Sequence, residues 1–132
     1  MTVPVVSIVD DDPSVRMATA RLVALHGFVA YGFASAEEFL RSPLLGETSC
    51  LITDMRMPGM SGADLQRHLI AHGQRIPTIF ITAYREEHAA AEAKAAGAAC
   101  FLTKPYDAQT LIDCLRGALR SSNAAENGER PH

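Results

Sequence analysis

Four apolar runs each hand the chain over to a side chain that could do chemistry. "VVSIV" (5–9) is followed by Asp10, Asp11 and Asp12, and "CLIT" (50–53) by Asp54. "TIFIT" (78–82) ends in Thr82, and "ACFLT" (99–103) is followed by Lys104. A carboxylate at the end of an apolar strand is penalised in its charged form unless a cation or hydrogen bonds compensate. Either Asp54 is a solvated loop residue, or something positive is meant to join it. Two carboxylates about 4 Å apart repel by about 1 kcal/mol in water and about 4 kcal/mol at an effective dielectric of 20. Should Asp10, Asp11 and Asp54 share a pocket, Lys104 alone is too little countercharge. A hard divalent cation resolves the conflict, and Mg2+ fits best, because it takes one or two carboxylates, keeps waters and favours phosphate as a further ligand. Mn2+ is an acceptable substitute. With Thr82 as a hydroxyl donor and Lys104 as a countercharge, this set has the parts for phosphoryl transfer onto Asp54 itself. Ala83 is small enough to leave an open path to that carboxylate.

The elements that must position these residues can be read from periodicity. A fifth run, "VAYGF" (29–33), is the weakest and reads as an edge strand. Segments of helical period lie between the runs. In "PSVRMATARLVALHG", Val15, Ala18, Leu22 and Leu25 fall on one face, with Pro13 suited to the first helical position and Gly27 to the stop. "SAEE" (35–38) has the form of a capping box. "SGADLQRHLIAHG" places Leu65 and Leu69 inward, and the stretch from Arg85 to Gly97 is Ala-rich. "DAQTLIDCLRGALR" has Asp107 as cap, Leu111, Leu115 and Leu119 inward, and Arg116 and Arg120 toward the negative end of the helix dipole. Strand and helix alternate, and the strands are mostly continuous apolar runs without one wet face. The expected fold is therefore α/β: a doubly wound (βα)5 unit around a five-stranded parallel sheet. In such a sheet the C-terminal strand ends share one rim, where ligands bind. Residues 1–120 read as one domain, and "SSNAAENGERPH" (121–132) as a polar tail or the start of an interdomain linker.

Composition narrows the function. At 132 residues the chain holds one domain with a proper core, and 48% hydrophobic residues is ordinary for a globular protein. Twelve Lys and Arg against fifteen Asp and Glu argue against this chain gripping nucleic acid by charge alone. No signal peptide and no apolar stretch of membrane-spanning length is evident, so the cytoplasm is the expected location and no membrane is an expected partner. The three cysteines, Cys50, Cys100 and Cys114, show no CxxC spacing and read as buried thiols. His68 and His72 have the i, i+4 spacing of a zinc pair, but "HLIAH" lacks the Glu of a metalloprotease, and a surface helix is the better reading. A P-loop is excluded, because there is no GxxxxGK[ST].

"VDDD", "TDMRMPGMSG", "ITA" and "FLTKP", in this order over residues 3 to about 120, resemble the receiver domain of two-component response regulators, the CheY-like family. "DMRMPGMSG" with "FLTKPYD" is most similar to its FixJ-type branch, whose members usually carry a LuxR-type helix-turn-helix after the receiver. The resemblance implies the strand order 2-1-3-4-5. It implies that Asp54 accepts a phosphoryl group from the phosphohistidine of a sensor histidine kinase, and that the chain catalyses only this transfer to itself and its own slow dephosphorylation by water. Asp11, Asp54 and the backbone carbonyl of Arg56 would ligate Mg2+ directly, with Asp10 acting through water. Thr82 and Phe101 would be a switch pair, the Lys104–Pro105 peptide would be cis, and Met55, Arg56, Ala83 and Tyr84 would tune the phosphoryl lifetime. The fourth helix, fifth strand and fifth helix would form the output face, with a homodimer through the fourth helix and fifth strand on phosphorylation. A C-terminal DNA-binding output domain outside this chain is the expected route to transcription, and a stand-alone regulator acting by protein contacts is the alternative. Two other classes compete. A haloacid-dehalogenase-like phosphohydrolase would need DxD after its first strand and a cap, and a pseudo-receiver would lack an acid or the lysine.

Overall fold

Each of the five apolar runs becomes a strand: β1 (Val5–Val9), β2 (Val29–Phe33), β3 (Cys50–Asp54), β4 (Thr78–Thr82) and β5 (Cys100–Thr103). This computed structural model describes residues 3–83 and 88–128. All four strand pairings are parallel, and the order is β2-β1-β3-β4-β5, as the sequence resemblance implies. The helices are α1 (Pro13–Leu25), α2 (Ala36–Leu40), α3 (Gly62–Ala71), α4 (Ala89–Ala95) and α5 (Ala108–Gly128), with a 3-10 turn at Pro43–Glu47.

Side-chain alternation along the strands divides the core between two layers. Val6, Ile8, Cys50, Ile52, Ile79 and Ile81 meet Val23 of α1 and Leu111, Ile112 and Leu115 of α5. On the other face Leu51 and Val9 meet Phe39 of α2 with Leu65 and Leu69 of α3, while Phe80 and Met55 meet Ala93 of α4 and Ala96, which caps its C-terminal end. Burying both faces is what makes the strands continuously apolar. β2 is indeed an edge strand, with Tyr31 40% exposed.

Several local expectations need correction. The inward face of α1 is centred on Thr19 and Val23, and Leu25 is 77% exposed. Thr19 can be buried there because its side chain hydrogen-bonds Tyr106. Ser35 caps α2 through the Glu38 amide, without the reciprocal bond of a full box. The complete capping box is instead at α3, where Ser61 and Asp64 each accept from the other's backbone amide. Asp107 caps α5 as expected, accepting from the Thr110 amide at 2.7 Å. The helix then runs to Gly128, so Arg116 and Arg120 sit mid-helix and not near its end. Ala124, Ala125 and Glu126 are good helix formers, and extending an existing helix requires no new nucleus. Residues 85–87 of the expected Ala-rich helix lie outside the described residues. Cys100 and Cys114 are joined as a disulfide, and only Cys50 is a free thiol. No CxxC spacing foretold this, because α5 folds back on β5 and brings together residues 14 apart, with Cα atoms at 6.1 Å.

Candidate functional site

The parallel register carries the chemistry-bearing residues to one rim. Val9 pairs with Thr53, Asp54 with Ile81, and Thr82 with Thr103, so β1, β3, β4 and β5 end together. The backbone continues the pattern past the strands: Asp10 N donates to Phe33 O, Met55 N to Ile81 O, and Lys104 N to Thr82 O. Carboxylate oxygens of Asp10, Asp11 and Asp54 lie within 4.8 Å of one another. Lys104 Nζ stands 3.5 Å from Asp54 Oδ2.

Each acid is held differently. Asp10 is 4% exposed, its carboxylate accepts from the Asp12 amide at 2.9 Å, and Arg16 donates to its carbonyl. Burial pushes the Asp10 carboxyl above the usual carboxylate range; the Asp12 hydrogen bond opposes this, and the charge of Asp54 adds to it. Asp11 is exposed. Asp54 Oδ1 accepts from the Arg56 amide at 3.0 Å, which leaves Oδ2 toward Lys104. The Asp54 side chain keeps 13% of its exposure, so it is neither a solvated loop residue nor sealed in the core. Like charges this close, on oxygen donors alone, suit a hard divalent cation.

Thr82 is 1% exposed, and its Oγ1 is buried without a hydrogen-bond partner among the described residues. Buried hydroxyls are almost always paired, so an unpaired one at the rim of an acid cluster is suited to an incoming acceptor. Ala83 beside it is exposed. Phe101 is half-buried against the cluster formed by Met55, Ala63, Phe80, Ala93 and Ala96. Met55 is fully buried in that cluster, so its side chain is a core group and not part of the pocket wall. The Lys104–Pro105 peptide is cis. Tyr84 lies outside the described residues.

Three contributors escaped the sequence reading. Gly62 opens α3 directly against Asp54: a Cβ there would collide with the Asp54 carbonyl oxygen, while Gly62 N donates to Met55 O. Glu37, from α2, accepts from the Met60 amide at 3.2 Å and braces the loop between Asp54 and α3. That loop bends at Gly59, with φ +76°. Glu92, from α4, takes the Arg56 guanidinium through two hydrogen bonds at 2.8 and 3.3 Å. The "SGAD" box after Pro58 could have flagged Gly62. Nothing local could have flagged Glu37 or Glu92, which arrive from other helices.

Residues 6–116 match the response regulator receiver domain family. The chain is 41% identical over 116 residues to the response regulator protein TodT of Pseudomonas putida, covering 88% of this chain and 51% of that one. It is 38% identical over 126 residues to the transcriptional regulatory protein FixJ of Rhizobium meliloti, covering 96% and 62%. The crystal structure of FixJ-N superimposes with a TM-score of 0.83 at 36% identity, covering 91% of this chain and 96% of that one. The chain thus spans about half the length of the curated relatives it matches. Among the described residues no helix is long and apolar enough to cross a membrane.

Proposed function

The chain belongs to the response regulator receiver domain family of two-component signalling, and on that premise we propose that Asp54 is its phosphoacceptor. A phosphohistidine of a sensor histidine kinase is the proposed donor: a carboxylate oxygen of Asp54 attacks phosphorus, the P–N bond breaks, and the imidazole nitrogen leaves. The observation that carries this reading is the Asp54 carboxylate lying within 4.8 Å of the Asp10 and Asp11 oxygens and 3.5 Å from Lys104 Nζ. Asp54 is oriented by the Arg56 amide on Oδ1. Lys104 balances charge that builds on the transferred group, and the Thr82 hydroxyl, otherwise unpartnered, donates to one of its oxygens.

The donor set fits a divalent cation, and Asp11, Asp54 and the Arg56 carbonyl are the groups proposed to hold Mg2+, or Mn2+ in its place, with Asp10 acting through water. When bound, the cation supplies neutralisation of negative charge at the phosphoryl oxygens. Phosphorylation adds about −1.5 to −2 of charge and three acceptor oxygens at the rim. Thr82 moving toward that group would open space for the Phe101 ring, which already packs on alanines of α4. The proposed output is a homodimer through α4 and β5, coupled to transcription, since longer relatives, of which the match covers 58%, 62% and 50%, are named transcriptional regulatory proteins.

Acetyl phosphate with Mg2+ tests the assignment by mass spectrometry. One phosphoryl group per chain should appear on the wild type and none on Asp54→Asn. Persistent labelling of Asp54→Asn would show another acceptor and defeat the assignment.

A further inference from the structure

The three cysteines differ sharply in what can reach them. Cys50 is fully buried on β3, and burial pushes its thiol up to about 12, where little reactive thiolate exists at neutral pH. Cys100 and Cys114 are each only partly buried, at the edge of the core cluster shared by the sheet and α5. Their Cα separation of 6.1 Å falls inside the span of about 4.4–6.8 Å usual for a disulfide. The bond joins the first residue of β5 to the second turn of α5. β5 also carries Phe101, and it leads directly into Lys104, whose ammonium faces Asp54. A covalent tie here connects two of the three elements assigned above to the output face.

We propose that Cys100 and Cys114 are a reversible thiol–disulfide site that stapples α5 to β5 and so opposes the rearrangement driven by phosphorylation of Asp54. Disulfides persist in oxidising compartments, whereas in reducing ones they are transient and regulatory. The oxidant is a low-molecular-weight disulfide of the glutathione class. One protein thiolate attacks a sulfur of that disulfide, expelling one small thiol and leaving a mixed disulfide. The second protein thiolate then attacks the protein-bound sulfur, closing the Cys100–Cys114 bond and expelling the second small thiol. Two electrons and two protons leave the protein on the two small thiols, and excess thiol runs the exchange backwards. Cys50 takes no part.

This proposal rests on the phosphoacceptor reading, and the two can fail separately. The full chain is poised at a series of reduced-to-oxidised glutathione ratios and its free thiols are counted after denaturation. Affinity for beryllofluoride with Mg2+, a stable mimic of the phosphoryl group, is measured by calorimetry on both forms. The expected results are a two-thiol step from three free thiols to one, and about fivefold or greater loss of beryllofluoride affinity in the oxidised form. By reciprocity, saturating beryllofluoride should shift the midpoint value of reduced glutathione concentration squared over oxidised glutathione concentration, the quantity that governs closure of one protein disulfide with release of two small thiols, by the same factor. Cys100→Ala and Cys114→Ala should each abolish the effect of oxidant on affinity. Failure of the two-thiol step at every ratio overturns the proposal. So does equal affinity of the two forms, which leaves the phosphoacceptor reading intact. If the reduced form itself takes up no beryllofluoride, the phosphoacceptor reading falls and the coupling falls with it.

Discussion

Replacing Asp10 with Asn should stabilise the metal-free protein while weakening its hold on Mg2+. At the 4.8 Å limit within which the three carboxylates lie, each pair of charges repels by about 0.9 kcal/mol at a dielectric of 80 and about 3.5 kcal/mol at 20. Asp11 is exposed and the cluster opens to solvent, so the lower part of that range applies. Loss of attraction to Lys104 offsets part of the relief. Asn keeps an oxygen for the Asp12 amide, which Asp10 now accepts at 2.9 Å, so the turn into α1 is preserved. The net gain should be about 1–2 kcal/mol, or a rise of roughly 3–8 °C in Tm for a domain of this size. Urea unfolding in the presence of EDTA measures it. Repeating the titration in millimolar Mg2+ should raise the stability of the wild type clearly and that of the variant much less. An Asp10→Asn protein no more stable than wild type in EDTA would refute the account of a strained acid cluster. Equal stabilisation of both proteins by Mg2+ would refute the cation site.

Thr82→Val should raise metal-free stability by about 1 kcal/mol, because it removes a buried hydroxyl that has no partner among the described residues; the same variant should bind beryllofluoride more weakly by calorimetry. Gly62→Ala forces the start of α3 away from the Asp54 carbonyl. It should cost about 1–3 kcal/mol in urea unfolding and slow phosphate uptake from acetyl phosphate. Hydrogen bonds from Thr110 hold the Asp107 carboxyl below its usual value, so this group stabilises the fold above the ordinary carboxylate range and loses that contribution as pH falls through its lowered value. Wild type should therefore exceed Asp107→Asn in thermal stability at neutral pH, and the gap should close on acidification; a gap independent of pH would show that the cap owes nothing to its charge.

The sequence by itself determined the strands, their parallel arrangement and the acids, hydroxyl and lysine of the rim. Continuous apolar runs reveal burial on both faces, and a polar residue directly after such a run must emerge at the sheet's end. Leu65, Leu69, Leu111 and Leu115 were legible for the same reason, since helical period and burial coincide there. In α1 the period was misleading, because the buried Thr19 owes its place to a hydroxyl partner on a distant loop. Only the tertiary structure decided which acid is most buried, that Thr82 lacks a partner, that Glu37 and Glu92 reach the loop around Asp54, and that Cys100 meets Cys114. These facts depend on distances between elements far apart in the chain. Local propensity and spacing carry no record of such distances until the helices have packed on the sheet.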